Sequence, residues 1–283
     1  MTIDTWLTAA QRQLAAADVQ TARLDALILL EDCLQRDRAL LLAHPETKLS
    51  DTQLAQLTEQ LQRRAGHEPL AYIRGHSEFY GREFYVDQHV LEPRPESETI
   101  IDQLLGLAAA STGTGADTTP GLIVDVGTGS GALAITVACE LHAEVIGIDI
   151  DPACLEVAER NAGRHQADVK FMVGDLLVPL MNTTITSGTP IFALLCNLPY
   201  VPDDYPVNPA ANREPRLALY GGADGLDLYR KLFTQIDGLA QQPRYVIAEA
   251  LPEQHAELTK IATAHSFVLM LSDDFIQVFQ TNQ

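Results

Sequence analysis

The run Cys196-Asn197-Leu198-Pro199-Tyr200-Val201-Pro202 sets a side-chain amide, a proline and a phenol directly after the apolar stretch Ile191 to Leu195. Such a stretch reads as a buried strand, and in an open α/β sheet ligands bind beyond the carboxyl ends of the strands. The residue types fit one chemical task. A planar amide or aromatic amine is a poor nucleophile because its nitrogen lone pair is delocalised, as in the peptide bond. If the Asn197 side-chain oxygen and the Leu198 backbone carbonyl accept the N–H bonds of such a nitrogen, its remaining density is aimed at an electrophile. Tyr200 can then stack on the flat group. Orientation of this kind is worth up to about 7–11 kcal/mol, against roughly 1–3 kcal/mol for one buried hydrogen bond, so positioning would dominate and no strong base is needed at the start. Taken alone, the run reads equally well as a strand-to-loop turn broken by Pro199 and Pro202.

A second run, Val124-Asp125-Val126-Gly127-Thr128-Gly129-Ser130-Gly131-Ala132, joins an apolar strand to an apolar helix. Its glycines let the backbone turn tightly and approach a ligand closely. Read as G-x-G-x-x-A it fits a dinucleotide site, with Asp149 at the end of the next strand holding a ribose. Two features favour S-adenosylmethionine instead. Asp125 lies within the strand just before the first glycine, where an acidic residue suits a cationic ligand better than a pyrophosphate, and Gly131 makes the pattern G-x-G-x-G. Gly174-Asp175-Leu176-Leu177, ending the third strand, would supply Asp175 for an adenine amino group and Leu176 against the ring. The alternative for Asp149 and Asp175 is helix N-capping, because Pro152 and Pro179 follow them.

These residues need a scaffold, and the pattern supplies one. Up to about Gly66 the chain reads as a small helical bundle, with Leu24, Leu27, Ile28 and Leu34 on one stripe and a capping-box pattern at Ser50-Asp51-Thr52-Gln53. Phe79, Tyr80, Phe84, Tyr85 and Val86 around Gly81-Arg82 predict a β-hairpin, ended by Pro93 and Pro95. A helix follows near Glu96 to Leu107, then a polar Gly/Thr-rich loop from Ser111 to Gly121. From Leu122 strands and helices alternate, which predicts a mostly parallel sheet covered on both faces, closed by one antiparallel strand near the C-terminus. The fold class is therefore α/β, and the divisions are a helical domain over 1–75, a hairpin linker over 76–95 and a catalytic domain over 96–283.

Composition narrows the partners. The 283 residues carry 19 Lys and Arg against 38 Asp and Glu, a formal charge of −19 that repels phosphate backbones. The first thirty residues contain charges at Asp4, Arg12, Asp18, Arg23 and Asp25, which interrupt any signal-peptide core, and no apolar run spans a membrane. A cytoplasmic monomer is expected. The 4 cysteines are scattered without a C-x-x-C pair and the 8 histidines show no metal-ligand spacing, so no metal site is expected.

Four stretches together resemble a known family: Glu68 to Glu98, the glycine turn, the Asn197-Leu198-Pro199-Tyr200 run, and Arg213 to Leu232. They are similar to class I methyltransferases with an Asn-Pro-Pro-Tyr motif, and among these to the HemK/PrmC family, which methylates the N5 of a glutamine in peptide chain release factors. The resemblance implies a Rossmann-like domain that uses S-adenosylmethionine, preceded by a hairpin and a helical domain that docks the protein substrate. Gly127, Thr128, Gly129, Ser130, Gly131, Asp149 and Leu176 match cofactor-binding positions, Asp175 does so for class I enzymes in general, and Asn197, Leu198, Pro199 and Tyr200 match the substrate-amide site, with Asn197 also at the cofactor. Leu198 departs from the usual proline: it keeps the carbonyl acceptor, frees φ and adds an N–H. Leu176 stands where relatives often carry an aromatic residue. Arg94 either lines the substrate cleft or belongs to a rigid link, and Glu249 either faces the cleft or caps the following helix. Three other functions fit the same motifs: methylation of a ribosomal-protein glutamine, methylation of an amino group on adenine, cytosine or guanine, with the flipped base on Tyr200, and binding without turnover.

Overall fold

The computed structural model describes residues 1–111, 121–181 and 189–282. The Gly/Thr-rich loop expected over Ser111 to Gly121 lies, apart from those two end residues, outside the described residues. The chain forms two compact units. One comprises Met1–His76 with Val207–Arg213, the other Ser77–Pro206 with Glu214–Gln283. No helix among the described residues is long and apolar enough to cross a membrane.

In the first unit α1 (Ile3–Ala16), α2 (Ala22–Leu34), α3 (Arg38–Ala43), α4 (Asp51–Ala65) and α5 (Leu70–Arg74) enclose a core that includes Trp6, Leu14, Leu29, Leu30, Leu57 and Leu61. α4 starts where its residues dictate: Ser50 Oγ accepts from the Gln53 N–H and Gln53 Oε1 from the Ser50 N–H. Such a cap is worth about 1 kcal/mol. The buried face of α2 differs from the expected stripe. Leu24 is exposed and Ile28 half-buried, while Ala22, Ala26, Leu27, Leu29 and Leu30 are buried. Residues Ala26 to Leu30 are apolar without interruption, so periodicity selects no face and packing against α1 and α4 selects it instead. Asp25, buried on the same helix, is paired with Arg64 of α4 at 2.6 Å.

The hairpin is β1 (His76–Phe79) and β2 (Arg82–Tyr85). Its turn is Tyr80-Gly81, one residue before the expected pair, with φ of 51° and 69°. A two-residue hairpin turn whose twist matches the strands requires positive φ at both positions. After α6 (Glu98–Ser111) come β3 (Leu122–Val126), α7 (Ala132–Glu140), β4 (Val145–Asp149), α8 (Pro152–His165), β5 (Lys170–Val173) and α9 (Val178–Met181). Then follow β6 (Ile191–Cys196), α10 (Arg216–Leu219), α11 (Asp227–Asp237), β7 (Tyr245–Glu249), α12 (His255–Ala264), β8 (Phe267–Asp273) and β9 (Ile276–Thr281).

Strands β3 to β9 form one sheet in the order β5-β4-β3-β6-β7-β9-β8. Pairs among β3 to β7 are parallel, and β9 runs antiparallel to both neighbours. The antiparallel strand is last in sequence but sits inside the sheet, between β7 and β8. Strands β3, β6 and β7 are buried at every position, as strands apolar on both faces should be when helices cover both. Val124, Leu194 and Val246 face one core with Tyr229 and Phe233, while Ile123, Leu195 and Ile247 face the other with Ile135 and Leu104. The strand order reverses between β3 and β6, which opens a crevice at their carboxyl ends.

Candidate active site

The glycine turn leaves β3 at that crevice. Gly127, Gly129 and Gly131 have φ of 77°, 53° and 80°, values that glycine adopts without a Cβ penalty. The N–H groups of Gly127 and Thr128 both donate to the Ile148 carbonyl, at 2.8 and 2.9 Å, and the Gly129 N–H donates to Asp149 Oδ2 at 2.9 Å. The turn is thereby tied to the end of β4. Asp149 also accepts from the Asp151 N–H at 3.0 Å, and it is Asp151 that caps α8. Burial pushes the Asp149 carboxyl up from its ordinary value, with these N–H groups pulling it back.

A Cβ on Gly129 would meet nothing within 4 Å, because the turn faces an open cavity. Gly127, Thr128, Gly129, Ser130, Asp149, Asp175 and Leu176 line it from the turn and from β4 and β5; Asn197, Leu198 and Pro199 line it from β6. Gly131 and Tyr200 are not among its lining residues. A Cβ on Gly131 would sit 2.8 Å from Ile135 Cδ1 and 3.2 Å from Ala158 Cβ, so this glycine lets α7 pack closely on α8. Asp125 also lies off the wall. It is buried beneath the turn, where its Oδ2 accepts from Thr128 Oγ1 at 2.6 Å and from the Ala134 N–H at 3.2 Å. Its Oδ1 has no partner among the described residues, and burial raises its carboxyl to about 7. The role expected of Asp125, attracting a cationic ligand, gives way to bracing the turn from below.

Beyond β5, Asp175 and Leu176 are set by Gly174, where a Cβ would lie 2.0 Å from Pro179. Leu176 holds a φ of 55°, uncommon for a residue with a Cβ. The Asp175 carboxylate is paired with Lys231 of α11.

At the β6 rim the Asn197 Nδ2 donates to Ser97 Oγ at 2.7 Å, and Ser97 Oγ donates to Glu249 Oε2 at 2.6 Å. Tyr200 donates its hydroxyl to Glu249 Oε1 at 2.9 Å. Glu249 ends β7 with 0% exposure. Burial pushes its carboxyl up, and the hydrogen bonds from Ser97 and Tyr200 oppose that shift. The same burial, with the Glu249 charge, drives the Tyr200 phenol far above its ordinary range. Glu249 thus neither faces the cavity nor caps the following helix. Leu198 buries its side chain against the turn, with Cδ2 at 3.3 Å from where a Gly127 Cβ would be. Beneath it the Tyr229 hydroxyl lies 2.9 Å from the Cys196 carbonyl and 2.5 Å from the Glu249 carbonyl.

Three surrounding contacts hold this rim. A Cβ on Gly221 would fall 2.3 Å from the Pro199 carbonyl and one on Gly225 2.0 Å from the Tyr200 carbonyl, so only glycines let that loop pack here. Gln254 Nε2 bridges the carbonyls of Tyr200 and Asp224 at 2.7 and 2.8 Å. Arg94, on the cavity wall, donates from Nη2 to both oxygens of Glu214 at 2.6 and 2.8 Å. Elsewhere Asn161 of α8 accepts from the Tyr85 N–H at 2.8 Å and donates to the carbonyls of Tyr85 and Ser130 at 2.9 Å, which pins the hairpin to the glycine turn. Ser97, Gln254 and Asn161 were beyond sequence reasoning, because each acts on residues far away in the chain.

Residues 5–75 match the model of a PrmC N-terminal domain, and residues 123–204 match that of a methyltransferase domain. A release factor glutamine methyltransferase of Koribacter versatilis is 38% identical over 240 residues, covering 83% of this chain and 81% of that protein. One of Moorella thermoacetica is 37% identical over 270 residues, covering 93% and 90%. Among solved structures, the hMettl16 catalytic domain in complex with MAT2A 3′UTR hairpin 1 has a TM-score of 0.53 at 12% identity, covering 85% of this chain and 84% of that one. At that identity the likeness concerns the fold alone.

Proposed function

The chain belongs to the release factor glutamine methyltransferase family, and on that premise we propose that its cavity brings S-adenosylmethionine to a glutamine of a peptide chain release factor. The enzyme transfers the methyl group to the side-chain amide nitrogen, N5, of the glutamine in the Gly-Gly-Gln loop. The observation that carries this reading is the Asn197 amide on the cavity wall, with its Nδ2 committed to Ser97.

The residues present fit the cofactor. The open side of Gly129 leaves room for a ligand against the backbone, Asp149 offers a carboxylate for ribose hydroxyls, and Leu176 gives an apolar surface for a ring. Gly127 to Ser130 would form the rest of the cradle and Asp175 would take the adenine amino group, while Gly131 would act through helix packing. When bound, S-adenosylmethionine supplies a methyl group on a positively charged sulfur. The chain's own task is then orientation. Asn197 Oδ1 and the Leu198 carbonyl accept the N–H bonds of the glutamine carboxamide and aim its nitrogen toward the glycine-turn side of the cavity. Pro199 fixes the backbone that follows, and Tyr200, off the cavity wall and tethered to Glu249, holds the end of the run in place.

The helical domain, residues 1–75, docks the release factor, the hairpin over 76–95 links it to the catalytic domain over 96–283, and the enzyme works as a cytoplasmic monomer. Free Cys33, Cys139, Cys154 and Cys196 suit a reducing compartment. The charge of −19 favours a protein substrate over nucleic acid.

The test is methyl transfer from labelled S-adenosylmethionine to purified release factor, with ribosomal protein and single- and double-stranded nucleic acid in parallel and mass mapping of the product. Label on the loop glutamine is expected; label on nucleic acid alone would reassign the site to a base amine. Asn197→Ala should abolish turnover and leave cofactor affinity largely intact, and undiminished turnover in that variant would sink the amide-clamp mechanism.

A further inference from the structure

We propose that Ser97 and Glu249 are positioning residues for methyl transfer: they fix the Asn197 side chain so that its oxygen, and not its nitrogen, faces the substrate amide. The inference rests on the glutamine-methylating reading above.

A carboxamide has two orientations of nearly equal shape, one presenting an acceptor and the other two N–H donors. Only the first can receive a substrate N–H. Packing cannot discriminate between them, so charge must. Glu249 supplies it: the donors at both of its oxygens, Ser97 and Tyr200, favour its ionised form against the upward push of burial, and an ionised carboxylate accepts hydrogen bonds and donates none. Its two oxygens lie 2.6 Å from Ser97 Oγ and 2.9 Å from the Tyr200 hydroxyl. Ser97 must therefore spend its single proton on Glu249 and is left with lone pairs toward Asn197, 2.7 Å away. Those lone pairs accept the Asn197 Nδ2–H and repel Oδ1. A flipped Asn197 would set oxygen against oxygen at that distance and turn its N–H donors on the substrate's own. The second oxygen of Glu249 restrains Tyr200, so one buried carboxylate governs both ends of the Asn197-to-Tyr200 run. Ser97 and Glu249 are 152 residues apart in the chain and neither bond belongs to a helix or strand ladder, which separates this arrangement from ordinary secondary-structure support.

The test compares Ser97→Ala, Ser97→Thr and Glu249→Gln with the wild type, using release factor and labelled S-adenosylmethionine, and reads kcat, KM, cofactor Kd and melting temperature. Loss of an interaction that orients the reacting group lowers kcat rather than ground-state binding. Ser97→Ala and Glu249→Gln should lower kcat by about tenfold or more, equivalent to about 1.4 kcal/mol, with cofactor Kd within about twofold. Ser97→Thr keeps the hydroxyl and should recover most of the rate. Should Glu249→Gln fail to fold, the Ser97 pair decides alone. Wild-type kcat in Ser97→Ala, or a Ser97→Thr as slow as Ser97→Ala, overturns the positioning role while the enzyme's function stands. A wild-type enzyme that binds cofactor but leaves the release factor glutamine unmethylated overturns the functional reading and this inference with it.

Discussion

At Leu198 the side chain and the backbone serve different partners. The side chain is 2% exposed and lies against Gly127, and the backbone carbonyl is the acceptor proposed for substrate. Leu198→Pro cuts back the first and keeps the second. We expect turnover at or above the wild-type level together with a lower melting temperature, since trimming a buried side chain loses core contacts. Kinetics and a thermal melt check this, and a large loss of turnover with intact cofactor binding would mean a different site geometry. The places of Asn197, Asp149, Gly127 and Gly129 on the cavity wall were legible because each belongs to a short run whose spacing has a local meaning. Ser97 was not, and Glu249 could be singled out but its partners could not, because their contacts exist only where the start of α6, the end of β6 and the end of β7 converge. Asp125 shows the converse: its position in a motif was visible, but whether its carboxylate faces the cavity or the underside of the turn is decided by packing.

Among the elements, α8 does more than cover the sheet. Asn161 on its buried face satisfies the Tyr85 N–H, the Tyr85 carbonyl and the Ser130 carbonyl, so the hairpin, the helix and the glycine turn share one side chain. Asn161→Ala leaves these groups without their partner, at roughly 1–3 kcal/mol for each that stays unsatisfied. We expect a lower melting temperature and cofactor affinity weakened by about tenfold, or about 1.4 kcal/mol. Calorimetric titration checks this, and an unchanged Kd would release the hairpin from any part in shaping the turn. The strands and longer helices of the sheet domain were readable from their alternation, whereas the short α9 and α10, of four residues each, are too brief to carry a helical period. The face of α2 was not, because an all-apolar run contains no period. The sheet position of β9 was also hidden: pairing partners are set by tertiary contacts and leave no mark in a strand's own residues.

For the whole molecule, the helical unit has its own apolar core and its own capped helix, and no residue of it lines the cavity. Removing residues 1–66 should therefore raise KM for the release factor by about tenfold or more, equal to about 1.4 kcal/mol, while cofactor affinity stays near wild type. An unchanged KM for the protein substrate would remove the docking role. The distribution of the Asn197 clamp along the chain has a consequence for biosynthesis. A protein is made from its N-terminus and its segments can begin to fold as they emerge. The glycine turn and β3 to β5 are complete well before β6 appears, whereas Glu249 arrives with β7, after nearly all the rest has been synthesised. A chain cut short before β7 would carry the cofactor cradle residues with Asn197 left free to face either way.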